Sequence, residues 1–286
     1  MKGIILAAGK GTRLHPITLA LSKQLVPIYN KPMIYYPLAT LMSAGIQDIL
    51  IITNPADQEQ FKRLLQDGSQ WGISLSYATQ ETPHGLADAF LIGKEFIGND
   101  PVCLILGDNL FYGEQISTLL AEAFHKTSGA TLFAYPVKNP SRYGVVDWKS
   151  PPHIIEKPDV PPSEHAVTGL YVYDNQVISI AESLKPSARG EIEITDINNH
   201  YLKNDPTTIH QLGRGTTWLD AGTYESLMQA SQFVHVIEER QGLMIANLEE
   251  IAYTQNWISK EQLLKQAHTL ANSAYGDYLL NEVAHA

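Results

Sequence analysis

Apolar residues recur in two rhythms along this chain, and the alternation between them predicts its architecture. Runs rich in β-branched residues at 3–7, 48–53, 73–78, 102–106 and 130–137 are short and nearly continuous, the pattern of strands buried on both faces. Between them, at 33–44, 57–66, 85–97 and 114–127, apolar positions return every three to four residues, the period of helices lying on a sheet. Strands alternating with helices predict βαβ units and a parallel sheet.

The rhythm breaks after residue 138. Pro140, Pro151, Pro152, Pro158, Pro161 and Pro162 punctuate short strand candidates at 143–148, 153–156 and 166–173. This stretch retains Tyr143, Val145, Val146, Trp148, Tyr171 and Tyr173, which need burial, so it reads as an antiparallel insertion folded over the sheet and not as a linker. Helical patterns return at 175–184 and 191–203, a strand at 207–212, and another strand ends at Trp218-Leu219-Asp220. From Tyr224 the pattern is mainly helical, through Glu239, then 247–255 and 259–272. The expected whole is an α/β fold: a mostly parallel, Rossmann-like sheet with helices on both faces, a small antiparallel insertion at about 139–173, and a C-terminal helical segment. Residues 1–240 form the α/β domain, and 241–286 extend that same domain.

Ligands of such sheets bind at the carboxyl ends of the strands. The first strand runs into Leu6-Ala7-Ala8-Gly9-Lys10-Gly11-Thr12-Arg13-Leu14. Two glycines one apart let the backbone approach a phosphate and aim N–H groups at it, and Arg13 adds a forked set of donors. No Gly-Lys-Ser/Thr follows, so this is not a P-loop, and Leu14 stands where a dinucleotide fingerprint has its third glycine. A glycine-rich turn with no ligand is the competing reading of the loop taken alone.

The net charge of −10 argues against nucleic acid as partner and for a free nucleotide held by a few local cations. The single cysteine, Cys103, sits in an apolar run and reads as a small core residue, which fits a reducing cytoplasm. The N-terminal apolar stretch is too short for a signal peptide, and no run approaches a membrane span. The ten histidines show no metal spacing, and no Gly-x-Ser-x-Gly elbow is present.

Four further clusters bear chemistry. Lys23, in Ser22-Lys23-Gln24, brings a point charge near phosphates, and Gln24 a hydrogen-bonding edge; a solvated lysine is the alternative. Asp108 ends a strand where it suits one ligand of Mg²⁺, or caps the next helix. Asp220 offers a second carboxylate beside the apolar wall of Trp218, or starts a helix. Glu156 and Lys157, adjacent in an extended segment, point to opposite sides unless the backbone bends at Pro158; Lys157 suits a second substrate's phosphate and Glu156 its hydroxyls, with a surface ion pair as the alternative.

In this order, these clusters resemble the sugar nucleotidyltransferase family, nearest its bacterial glucose-1-phosphate thymidylyltransferase branch. The resemblance is carried by the glycine loop, Ser22–Tyr29, Lys31-Pro32-Met33-Ile34-Tyr35-Tyr36-Pro37-Leu38, Gly107-Asp108-Asn109, Arg142-Tyr143-Gly144-Val145-Val146 and Glu156-Lys157-Pro158. Val167-Thr168-Gly169-Leu170-Tyr171, Lys185–Glu191, Glu193–Asn198 and Trp218-Leu219-Asp220 complete it. The resemblance implies Mg²⁺-dependent transfer of a thymidylyl group from dTTP to glucose 1-phosphate, giving dTDP-glucose and pyrophosphate. It implies that Leu6, Ala8, Gly9, Gly11, Thr12, Arg13, Gln24, Gln80 and Gly85 bind the nucleotide, with Gln80 and Gly85 reading thymine. Arg13, Lys23, Lys157 and Asp108 are the implied catalytic groups, and Asp108 and Asp220 the implied metal ligands. Tyr143, Gly144, Glu156, Lys157, Val167, Tyr171 and Trp218 are the implied sugar-phosphate site, which makes 139–173 a sugar-binding insertion. A cytoplasmic homotetramer with no membrane or nucleic-acid partner is also implied.

Four positions, at three places, depart from the family pattern. Ala8 replaces a usual glycine, Ala221 follows Asp220 where threonine is usual, and His84 and Asp88 stand where Asp and Gln are typical. Uridylyl transfer, another hexose 1-phosphate, or a non-catalytic nucleotide sensor on the same fold are the competing functions.

Overall fold

In a computed structural model, residues 1–126, 128–187 and 190–284 are described. The strands are β1 (Lys2–Ala7), β2 (Pro27–Ile28), β3 (Lys31–Pro32), β4 (Asp48–Thr53), β5 (Ser74–Thr79), β6 (Val102–Leu106), β7 (Asn109–Tyr112), β8 (Ala130–Pro136), β9 (Gly144–Asp147), β10 (His153–Glu156), β11 (His165–Tyr173), β12 (Thr207–Gln211) and β13 (Thr217–Asp220). Among the described residues the main sheet runs β10-β9-β11-β6-β1-β4-β5, with β8 paired to β11 and β12 to β8. β6, β1, β4 and β5 are parallel neighbours, so their carboxyl ends lie together.

Side-chain alternation along β1, β4 and β6 explains their continuous apolar runs. Ile5, Ala7, Ile49, Ile51, Cys103 and Ile105 enter one core. Ile4, Leu6, Leu50, Ile52, Val102 and Leu104 enter the core on the opposite face. With both faces covered, the interiors of β1, β4 and β6 are apolar, whereas β5, at the sheet edge, carries Ser74, Ser76 and Thr79. Leu248, Ala252, Leu263, Ala267, Leu279 and Val283 of the C-terminal helices join the first of these cores. Burial pushes the Cys103 thiol well up, as expected of a packed core residue.

The structure differs from the sequence reading in three elements that matter for the site. The antiparallel strands do not fold over the sheet; they extend its edge. β11 pairs antiparallel with β6 and with β8, and β9 with β10. Without β11 the backbone groups along one side of β6 would lack partners, and β11, buried from Ala166 to Tyr173, supplies them. The second difference is β7, which follows β6 after only Gly107-Asp108 and pairs with β13 in an antiparallel ribbon, setting Asn109 opposite Asp220. The predicted helix at 85–97 is two short ones, Asp88–Ile92 and Lys94–Ile97. Residues 85–87 remain in the loop, where Gly85 is left-handed at φ 103°.

A buried ion pair ties the segment after Lys23 to the long helix Tyr224–Gln241. Lys31 Nζ lies 2.9 Å from Glu238 Oε1, Asn30 donates to Glu238 Oε2 at 2.7 Å, and the Ile245 N–H donates to Oε1 at 2.8 Å. Burial lowers the Lys31 pKa, and Glu238 opposes that shift. Replacing Glu238 by Ala leaves a buried ammonium without its counter-charge, and is expected to destabilise the protein by about 3 kcal/mol. In that variant the unfolded lysine binds more protons than the folded one, so stability rises with pH below lysine's ordinary pKa. Urea melts of Glu238→Ala at neutral and alkaline pH check both the size and the sign.

Candidate active site

The glycine loop follows from local geometry. Gly11 is left-handed at φ 63°, and its carbonyl accepts from Thr18 Oγ1 at 2.8 Å and from the Leu14 N–H at 2.8 Å. A Cβ on Gly11 would lie 3.0 Å from Thr18 Cγ2 and 3.1 Å from Lys23 Cβ. Fully buried Leu14 anchors the turn Thr12–Leu14. Among the described residues, the N–H groups of Gly9 to Arg13 donate to no protein acceptor. They form a ready set of donors for an anion.

Lys23 is buried, and its ammonium pairs with Asp108 Oδ2. Asn109 Nδ2 donates to the other carboxylate oxygen at 2.7 Å. Burial alone would raise the Asp108 pKa, but the Lys23 charge and these hydrogen bonds hold it below the ordinary carboxylate range. Asp220, at the end of β13, is shifted the other way, by burial first and then by the Asp108 charge. Arg142 approaches Asp220 Oδ2 at 3.6 Å. Gly107 keeps this floor close-packed: a Cβ there would lie 2.9 Å from Gln24 Cγ.

Two cavities open here. One, of about 340 Å³, is lined by Leu6, Ala8, Gly9, Gly11, Thr12, Arg13, Lys23, Gln24, Gln80, Gly85 and Asp108. The other, of about 380 Å³, is lined by Tyr143, Gly144, Glu156, Lys157, Val167, Tyr171, Trp218 and Asp220. Arg13, Leu86, Leu106, Asp108 and Glu191 line both, so the cavities meet at a seam. Every site residue named from the sequence lines one cavity or the other. Of the segment Lys185–Glu191, Ala188 and Arg189 lie outside the described residues.

The second cavity corrects one expectation. Glu156 and Lys157 do not point to opposite sides, because the chain bends at Lys157 itself, one residue before Pro158. Lys157 is left-handed at φ 44°, and its N–H donates to the Tyr143 carbonyl at 2.9 Å. Both side chains therefore reach one cavity, with Lys157 Nζ 3.4 Å from Glu156 Oε1. Thr195 Oγ1 donates to Glu156 Oε2 at 2.6 Å. Val167, Gly169 and Tyr171 of β11, across a register shift in its pairing with β8, line the same cavity.

Asn109 is the residue that sequence reasoning quoted without a role. Its Oδ1 accepts from Trp218 Nε1 at 2.6 Å and from the Gly169 N–H at 3.1 Å, while its Nδ2 holds Asp108. One amide thus joins the carboxylate, the aromatic wall and β11. Trp218 packs against Tyr143 with ring centroids 5.3 Å apart. Arg142, Thr195 and Asn198 also line this cavity and were not assigned from sequence. The only available signal was their place inside the quoted segments.

The nucleotidyl transferase family model matches residues 2–236. The chain belongs to this family. Curated relatives agree over nearly the full length. A glucose-1-phosphate thymidylyltransferase of Neisseria meningitidis is 58% identical, covering 98% of both chains, and one of Mycolicibacterium smegmatis is 56% identical over the same shares. A Bacillus anthracis structure assigned as a glucose-1-phosphate thymidylyltransferase, in complex with sucrose, is 42% identical with a TM-score of 0.76, covering 82% of this chain and 94% of that one. A UDP-glucose pyrophosphorylase bound to UDP-glucose is 25% identical with a TM-score of 0.73, over 82% of this chain and 98% of that one.

Nucleotidyl transferases of this kind generally use a divalent metal, and the donor set here fits a hard one. Asp108 and Asp220 offer only oxygens, and the Lys23 ammonium already seated on Asp108 marks that carboxylate as a cation position. Among the described residues no group of three or more His, Cys, Asp or Glu could hold a metal, so any cation would take its remaining ligands from substrate phosphates and water. No helix among the described residues is long and apolar enough to cross a membrane.

Proposed function

We infer that this nucleotidyl transferase joins the thymidylyl group of dTTP to glucose 1-phosphate, releasing pyrophosphate and forming dTDP-glucose. The observation that carries the reading is the seam: a phosphate-type glycine loop and a hydroxyl-type pocket meet at Arg13 and Asp108. The thymidylyltransferase relatives, similar over 98% of this chain, support the choice of base and sugar.

The residues then take the following roles. The free N–H groups of Gly9 to Arg13 and the Arg13 guanidinium hold the triphosphate, and Arg13 meets the charge that develops on leaving pyrophosphate. Gln24, Gln80 and Gly85 line the nucleoside end, with Leu6, Ala8 and Thr12. Lys157 holds the phosphate of the sugar, while Glu156 accepts from its hydroxyls. Tyr143, Gly144, Val167, Tyr171 and Trp218 enclose the ring. So held, an oxygen of the sugar phosphate attacks the α-phosphorus in line, the bond to pyrophosphate breaks, and no covalent enzyme intermediate forms. Lys23 lies beside the transferring group. Mg²⁺, held by Asp108 and Asp220, would supply Lewis-acid charge stabilisation at the phosphate oxygens. The reading includes a cytoplasmic enzyme that self-associates into a homotetramer. Exposed Met228 and Val236 on the long helix, with Leu243 just beyond it, support self-association.

Pyrophosphate release from the purified protein with Mg²⁺, glucose 1-phosphate and either dTTP or UTP tests the reading. Release with dTTP well above UTP is expected. Preference for UTP overturns the base assignment, and silence with both overturns the reaction.

A further inference from the structure

Lys10 stands between the two glycines of the loop after β1, exposed, and lines the smaller cavity. The Lys23 ammonium is taken up by Asp108, whereas Lys10 has no ion-pair partner among the described residues. The residue after it is anchored: Gly11 is left-handed, and its carbonyl accepts from both Thr18 Oγ1 and the Leu14 N–H. On the other side, a Cβ on Gly9 would meet nothing within 4 Å, so the space beside the loop is open. Lys10 is thus a flexible stem with three donors at its tip, mounted on a fixed turn.

The two cavities differ in the sign of their lining. Among the described residues, the smaller one has three cations, Lys10, Arg13 and Lys23, against two carboxylates, Asp108 and Glu191. The larger one has three cations against five carboxylates. The chain as a whole carries −10, a field that repels a triphosphate. Lys10 tips the balance, because without it the lining of the smaller cavity is neutral. Its position says which phosphates it meets. Arg13 and Asp108 line both cavities, and the reading above places the reacting α-phosphorus at that seam. Lys10 lines the smaller cavity alone. In-line attack from the larger cavity sends the leaving pyrophosphate to the opposite side, which is the side of Lys10.

We propose that Lys10 is a further substrate-binding residue: its ammonium takes the β- and γ-phosphates of the incoming triphosphate, and then the pyrophosphate they become. This deepens the nucleotidyl-transfer reading above and rests on it. Because Lys10 lies off the reacting centre, it holds the same group before and after the bond breaks. Its contribution therefore falls on affinity for the triphosphate and for pyrophosphate, and leaves the sugar-bearing ligands alone.

The test compares the wild type with Lys10→Met, which keeps an apolar stem and removes the charge, and with Lys10→Arg, which keeps the charge. In Lys10→Met the KM for dTTP is expected to rise about tenfold, and the KM for pyrophosphate in the reverse reaction with dTDP-glucose by a similar factor. The inhibition constant of dTMP, which has only the α-phosphate, should move by less than about twofold, as should the KM for glucose 1-phosphate. Lys10→Arg should stay within about threefold of the wild type. A rise in the dTTP KM of less than about threefold in Lys10→Met overturns the proposal. So does an equal weakening of dTMP and dTTP, which makes Lys10 a support of the loop, and so does an arginine variant as impaired as the methionine one. Should the wild type release no pyrophosphate from dTTP, the transfer reading fails first and takes this proposal with it; wild-type turnover with an unmoved KM in Lys10→Met refutes the role of Lys10 alone.

Discussion

Asp108→Asn is expected to lower kcat on the order of 10³-fold while leaving the fold intact. The substitution preserves shape and the oxygen that accepts from Asn109, so β7 and its partner strand keep their pairing. What it removes is one negative charge at the seam of the two cavities. Lys23, buried and paired with that carboxylate, then adds uncompensated positive charge where a cation is needed. Stability should change little, because the pair faces an open cavity; a fall in Tm of roughly 5 °C or less is consistent with that. Steady-state pyrophosphate release across a range of Mg²⁺, with a thermal melt, checks both parts. Turnover within tenfold of the wild type would remove Asp108 from the mechanism.

Arg13→Ala should cost on the order of 10²-fold in kcat/KM for the nucleotide, with most of the loss in kcat. The side chain is exposed and lines both cavities, so it is free to follow charge from bound triphosphate to departing pyrophosphate. Its route is narrow: a Cβ on Gly222 would come within 3.0 Å of Arg13 Nη2. Arg13→Lys should recover only part of the loss, since a point charge lacks the fork that spans two phosphate oxygens. Single-turnover measurements at saturating dTTP separate the two contributions. A defect confined to KM would make Arg13 a binding group only.

The inner parallel strands were legible because burial on both faces leaves no polar position to blur them, as in Val102–Leu106. β7 was not, because Asn109–Tyr112 continues β6 with only Gly107-Asp108 between them. The edge strands were visible as strands, but the sequence carries no local mark of which neighbour completes their hydrogen bonds. At the site, the glycine loop and the two aspartates were readable from their place at strand ends. The bend at Lys157 was not: a left-handed non-glycine residue leaves no compositional trace, so an extended segment with side chains on opposite sides was expected, with Pro158 as the one place for a bend. Asn109 was hidden for another reason. Its importance lies in three hydrogen bonds to residues far apart in the chain, and no spacing rule encodes that convergence.

The shared seam has a consequence for how the reaction ends. Each substrate engages one cavity and pays its own loss of translational freedom on entering. The sugar nucleotide is a single molecule that occupies both, so it gathers the contacts of two ligands for the immobilisation of one. It should therefore cling more tightly than either substrate, compete with both of them, and leave slowly. Departure of the joined molecule, more than its making, would then limit the cycle, and the same grip would serve the reverse reaction whenever pyrophosphate accumulates.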